Sequence, residues 1–259
     1  MKKRLLALGF IMTMVVSFAG CGKKEAKVIS SVADLKDAKI GVQTGTTGDL
    51  YASDEFGDSA IERYDKGFEA VQALSQGKID AVIIDDQPAQ VFVEQNEGLK
   101  ILGEEYVLEE YAICIAKENT ELKEQINAAI AELKDNGTFQ AIVDFYIGNV
   151  EGSTRYVAKD VERNGELVMA TNAEFPPYEY REGDGFAGVD VDMAQAIADI
   201  LGKELVISDM KFDSIIASVQ TGKADIGCAG MTITEDRLLA IDFTDSYYTG
   251  RQVVIVKDK

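Results

Sequence analysis

Histidine is absent from all 259 residues, and no two of the three cysteines are spaced as Cys-x-x-Cys. A Ser-His-Asp triad and a Cys-His nucleophile are excluded, and a zinc site is left without support. Positive charge is scarce as well. With the three basic residues of the N-terminal leader set aside, 23 Lys and Arg face 45 Asp and Glu, a balance of −22. Nucleic acid and polyanions are therefore poor partners. Beyond Leu5–Ala19, no segment offers the roughly 20 apolar residues that a membrane helix needs. Cys114 and Cys228 lie in apolar strand patterns, AICIA and IGCAG, and read as buried thiols behaving as small hydrophobes. A disulfide between them is the alternative, open to an exported protein.

What is present begins with an export signal: Lys2, Lys3 and Arg4, the apolar run, then Ala19-Gly20-Cys21. A cysteine directly after such a site points to a lipoprotein signal, 1–20, with Cys21 acylated as the mature N-terminus. Phe18 departs from the Leu that is commoner three residues before the cysteine. An ordinary signal peptide or an uncleaved anchor are the alternatives, and the run is short for a stable span. Residues 21–38 read as a lipid-anchored tether.

Two segments repeat one pattern. GFEAVQALSQGKIDAVIID from Gly67 and KFDSIIASVQTGKADIGCAG from Lys211 each carry a Phe-acidic pair, helix-spaced apolar residues, a Gly-Lys break and an Asp-marked apolar run. The repeat implies two similar α/β lobes with a cleft between them. In the first, 39–110, strands such as KIGVQTG and DAVIID alternate with helices at Thr47–Phe56, Phe68–Gln76 and Pro88–Gln95, the pattern of parallel βαβ units. Residues 111–148 hold the strand YAICIAK and helices at Thr120–Lys134 and Thr138–Tyr146, stopped by Asn136-Gly137 and Gly148. Residues 149–165 are polar and unpatterned, a linker, and 166–259 form the second alternating unit, ending in the strand RQVVIV.

Three places have the chemistry for a zwitterion. In AGMTITEDR the strand ends at Gly230, and Arg237 falls in the first turn of a helix begun at Thr234, where its guanidinium suits a carboxylate. An Arg on a solvated helix face is the plainer reading. In VQTGTTGD a Gly- and Thr-rich turn precedes a helix, presenting backbone N–H groups to an anion. A plain N-cap by Thr46 or Thr47 explains it equally, and the spacing is not that of a phosphate loop. Asp85 ends the strand DAVIID, where a half-buried carboxylate needs a positive partner; its neighbour Asp86 reads as a cap of the next helix. Phe175, Tyr178 and Phe212 are candidates to pack on a ligand, with core packing the default for each.

Taken together, LVMATNAEFPPYEY, GFAGVDVDMAQAIA, AGMTITEDR, VQTGTTGD and GKIDAVIIDDQPA resemble the polar amino-acid substrate-binding proteins of ABC importers (bacterial extracellular solute-binding protein family 3, type II periplasmic-binding-protein fold). The resemblance implies an α/β protein of two Rossmann-like lobes with a ligand cleft between them, no cofactor, and an ABC permease as partner. It makes Arg237 the clamp for the α-carboxylate, helped by the N–H groups of Thr232 and Thr47. Asp85, the Gly230 carbonyl and the Thr232 hydroxyl would hold the α-ammonium. Phe175 and Phe212 would sandwich the side chain, with Asn172, Ala229, Gln43 and Glu174 sensing its end, and Thr46 joins the ligand-binding set.

The order departs from the family. The lobe that normally opens the chain comes second, so the sequence resembles a circular permutant. Its ends, Lys259 and about Ser30, are expected where one hinge strand normally passes. Only 111–117 would then connect the lobes covalently, and a lobe-swapped dimer is a second outcome. The function expected is capture of a polar L-amino acid by a lipid-anchored receptor, not an enzyme. A dehydratase using Glu174 as general acid and a ligand-sensing module are the alternatives.

Overall fold

The computed structural model describes residues 27–258, and the leader with Cys21 lies outside them. After a 3-10 turn at Val32–Leu35, the first lobe runs β1 (Ile40–Gln43), α1 (Thr47–Phe56), β2 (Ile61–Tyr64), α2 (Gly67–Ser75), β3 (Ala81–Asp85), α3 (Asp86–Glu94), β4 (Leu99–Ile101) and β5 (Val107–Tyr111). The second follows with β6 (Cys114–Ile115), α4 (Thr120–Asp135), α5 (Thr138–Tyr146), β7 (Glu166–Thr171), β8 (Glu174–Phe175), β9 (Glu179–Glu182), β10 (Gly185–Ala187), α6 (Val189–Ile200) and β11 (Glu204–Asp209). It continues through α7 (Ile215–Gln220), β12 (Ile226–Gly227), α8 (Glu235–Ala240) and β13 (Asp242–Phe243) to β14 (Tyr248–Lys257).

Every residue of β1 and β3 is buried, which is why these strands read as continuous apolar runs. Both faces are covered, and β1 pairs in parallel with β2 and β3. In the other lobe β7 lies parallel to β11 and β12, with β6 and β13 completing a sheet in the order β11-β7-β12-β6-β13. Cys114 and Cys228 are free and buried, so the hydrophobe reading holds and the disulfide does not form.

The hinge differs from expectation. β14 leaves the second lobe beside β5, pairing Tyr248 with Tyr111, and then enters the first lobe between β3 and β4. The lobes are therefore joined by two crossings, 111–114 and 243–248. These are tied by Tyr247 N–H to the Tyr111 carbonyl at 2.9 Å and Thr244 N–H to the Ile113 carbonyl at 3.0 Å. An apolar run carries no label for the sheet it joins, so its sequence neighbours alone place RQVVIV in the wrong lobe.

Residues 149–165 contain no helix or strand, yet most of this segment is pinned to α6. The buried Asp199 accepts from Lys159 N–H at 2.7 Å, Arg163 Nη2 at 2.7 Å, Tyr156 Oη at 2.9 Å and Gln195 Nε2 at 2.9 Å. Asp192 takes Tyr146 Oη, Tyr156 N–H and Arg155. Burial opposes ionisation of Asp199, but these bonds outweigh it and hold the carboxyl below the ordinary aspartate value. Asp199→Ala is expected to cost about 2 kcal/mol at neutral pH. Because the folded value is depressed, that contribution is present above the unfolded pKa and lost as pH falls through the folded one. Thermal melts of wild type and variant should converge in acid.

Candidate functional site

A narrow pocket lies between the lobes. Gln43, Thr46, Thr47 and Asp85 reach it from the first lobe; Asn172, Phe175, Phe212, Ala229, Gly230 and Arg237 reach it from the second. Two of the three places picked for a zwitterion, the VQTGTTGD turn and Asp85, thus share one side of the cleft and face the third, Arg237, across it. Thr232, like Tyr178 and Glu174 among the expected residues, lies outside the lining. Its carbonyl accepts from Arg237 Nη1 at 2.7 Å, and it bridges to Tyr111.

The helix starts and strand ends explain the placement. Thr234 caps α8, accepting from Arg237 N–H at 3.2 Å, which fixes the first turn and turns the guanidinium inward. Arg237 is only 7% exposed, so it is not on a solvated face. Its Nη2 donates across the cleft to the Gly45 carbonyl at 3.0 Å. Gly45 has φ +78°, and a Cβ there would lie 3.2 Å from that of Asp213 in the opposite lobe, so glycine permits both the turn and the close approach. Burial pushes Arg237 below its ordinary value, with Glu109 acting against that. No carboxylate of the described residues pairs with it.

Thr46 caps α1, accepting from Asp49 N–H at 3.4 Å and donating to the Gln43 carbonyl at 2.9 Å. The plain cap and the pocket position coexist. The Gly45 N–H is taken by Asp49 at 3.0 Å, so the turn offers an anion fewer free donors than its glycines suggest.

Asp85 is 4% exposed and accepts from the Tyr111 hydroxyl. Burial first, and the negative charge of Glu109 second, push its carboxyl well above the aspartate range. Asp86 is not a cap. Asp85 occupies the cap position of α3 without a side-chain bond, while Asp86 accepts from Gln87 N–H at 2.9 Å and pairs with Arg251 at 3.0 Å.

Tyr178 departs from the cleft role. It is fully buried against Tyr111, with ring centroids 5.3 Å apart, and Tyr248 at 5.6 Å, in a tyrosine cluster under the hinge. Phe175 stacks on it at 6.0 Å and forms the pocket floor, while Phe212 lies 5.4 Å from the Arg237 guanidinium. Glu174 stands outside the lining, in an ion pair with Lys66 at 2.5 Å across the cleft. Lys211 and Asp65 make a second such pair at 2.7 Å, and Gln43 Nε2 donates to Asn172 Oδ1 at 2.8 Å. The lobes are thus latched shut.

Glu179 also lines the pocket, and the sequence reading missed it. In FPPYEY it looks like an exposed turn residue; β8 and β9 fold back there and pair Phe175 with Glu179, which no spacing within one strand reveals.

Residues 167–259 match the model of bacterial extracellular solute-binding proteins, family 3. The arginine-binding extracellular protein ArtP of Bacillus subtilis (strain 168) is 39% identical over 92 residues, 36% of each chain. The L-arginine-binding protein of Pseudomonas aeruginosa is 34% identical over 142 residues, 51% of this chain and 55% of that one. The L-cystine-binding protein TcyJ of Escherichia coli (strain K12) is 31% identical over 121 residues, 46% of each. The chain therefore spans from about a third to about half the length of these curated relatives. Among solved structures, the arginine-bound form of domain 1 from TmArgBP is 39% identical, covering 36% of this chain and 80% of that one, with a TM-score of 0.31.

Proposed function

We propose, from the premise that residues 167–259 make this chain a member of the bacterial extracellular solute-binding proteins, family 3, that it captures a polar L-amino acid between its lobes outside the cytoplasm. The observation that carries this is the pairing of two uncompensated groups in one pocket. Arg237 is a buried cation bonded to carbonyls, and Asp85 is a buried carboxyl whose ionisation burial disfavours. A zwitterion supplies each with its counter-charge: its carboxylate meets Arg237, and its ammonium meets Asp85 and the Gly230 carbonyl. The neutral amides of Asn172 and Gln43 fit a polar side chain between Phe175 and Phe212.

Delivery to an ABC permease and anchoring through Cys21 complete the reading. The lobe order supports a circularly permuted arrangement, with the pinned segment 149–165 as the new join. The arginine-binding relatives make L-arginine the first ligand to test. A thermal-shift screen of the twenty amino acids, cystine and ornithine is expected to raise the melting temperature for one polar class. No shift with any of them counts against the assignment.

Glu174 favours a latch over a general acid, because its carboxylate is engaged by Lys66. Lys66→Ala or Glu174→Ala is expected to lower affinity by at most about fivefold, as half-exposed ion pairs contribute little. The difference should shrink in high salt, which calorimetry at two ionic strengths will check.

A further inference from the structure

Glu179 and Asp190 are both buried, at 1% and 0% exposure. Asp190, in the first turn of α6, accepts from Gly230 N–H at 2.8 Å and from the Tyr247 hydroxyl at 2.8 and 2.9 Å. Neither oxygen of Glu179 accepts from any N–H or O–H donor among the described residues. Asp190 lies beside it, its N–H donating to the carbonyl of Tyr178, the residue before Glu179, at 2.9 Å, and its carboxyl is the candidate hydrogen-bond partner for the orphaned Glu179 oxygens. Two carboxylates cannot make such a bond, but an acid and a carboxylate can.

We infer that Glu179 carries a proton in the folded protein and donates it to Asp190, forming an acid–carboxylate pair that fixes the Gly230 peptide at the pocket. Glu179 is thus a positioning residue for the Ala229–Gly230 peptide, which leads into the Gly230 carbonyl at the pocket, a role that rests on the amino-acid-capture reading, whereas its protonation does not.

The surroundings agree. Cys228 from the loop after β12, Tyr247 ahead of β14 and Asp85 at the end of β3 are the titratable groups facing the pair, and none is a cation. Burial, then the charge of Asp190, push Glu179 well above the glutamate range; burial pushes Asp190 up to about 6, against the bond from Gly230. Gly230 itself has φ +51°, and a Cβ there would lie 3.3 Å from the Phe175 ring. Its peptide therefore has a defined orientation for Asp190 to hold.

The first test needs no ligand. In protein labelled at the glutamate side-chain carboxyl carbon, one resonance, assigned by its loss in Glu179→Gln, is expected at the carboxylic-acid position at pH 7. If Glu179 titrates with the exposed glutamates instead, the proposal falls. Stability gives a second readout. A carboxyl with a raised folded pKa stabilises below its unfolded value, and that stability is lost as pH rises through the folded one. Between pH 6 and 8.5 the wild type should therefore lose about 3 °C more in melting temperature than Glu179→Gln, whose amide donates to Asp190 at any pH. Equal slopes overturn the pair.

With L-arginine as probe, Glu179→Gln should bind within about threefold of wild type and Glu179→Ala at least tenfold more weakly. Equal binding by the two variants overturns the positioning role. If the wild type does not bind L-arginine, the other members of the amino-acid screen serve, and the carboxyl resonance still decides the protonation.

Discussion

Arg237→Ala is expected to abolish amino-acid binding while leaving the protein folded. The guanidinium is buried and bonded to two carbonyls, one from each lobe, so it is held ready for a carboxylate that can replace the weaker cross-cleft contact. Removing one partner of a buried charge pair costs about 2–5 kcal/mol, or roughly 30- to 4,000-fold in affinity. Arg237→Lys should recover only part of this, because a single ammonium cannot make two parallel bonds. The melting temperature without ligand should hold or rise, since an unpaired buried cation disappears with the side chain. Asp85→Ala is expected to lose binding on the ammonium side in the same way. Calorimetric titration beside a thermal melt separates the outcomes; undiminished affinity in both variants would end the zwitterion reading.

Gly250→Ala should damage hinge and pocket together. Gly250 sits in β14 opposite Glu109, where the two crossings run side by side. A Cβ there would fall 2.4 Å from the Tyr111 hydroxyl oxygen and 2.5 Å from the ring carbon that bears it, so one side must move. The ring is locked by Tyr178, Tyr247 and Tyr248, and its hydroxyl is the donor to Asp85. Overpacking of this kind costs about 1–3 kcal/mol, and a buried carboxyl that loses its donor adds about 1–3 more. The expected result is a fall of several degrees in melting temperature with weaker ligand binding. Tyr111→Phe separates the effects: it removes the Asp85 bond without adding an atom and should cost affinity more than stability. A Gly250→Ala protein as stable as wild type would mean that this ring has more freedom than its neighbours allow.

How far the sequence led depended on whether a feature was local. α1 and α5 begin and end where Thr46, Gly137 and Gly148 place them, because caps and breakers act within one turn. α3 begins at Asp86, two residues before the expected Pro88; proline is tolerated in the first turn, where its missing N–H is not needed. α6 begins at Val189, behind Gly188 at φ +127°. The pocket was legible because strand ends and helix starts gather at one cleft in such folds. Three features were not. The second crossing depends on which sheet accepts β14, the anchoring of 149–165 depends on Asp192 and Asp199 some forty residues away, and Glu179 matters only through Asp190. Each is a partnership between distant residues, which no periodicity encodes.

The position of β14 also sets the order in which this protein must be built. The first lobe starts with residues 40–101, yet the strand that fills the gap between β3 and β4 is 248–257. Until about a hundred and fifty further residues have been made, that sheet has two open edges lined with unpaired backbone groups, one of them the hydrophobic β3. Without β14 the first lobe is therefore expected to be an aggregation-prone half-sheet. Any chain truncated before β14 should be insoluble rather than merely inactive.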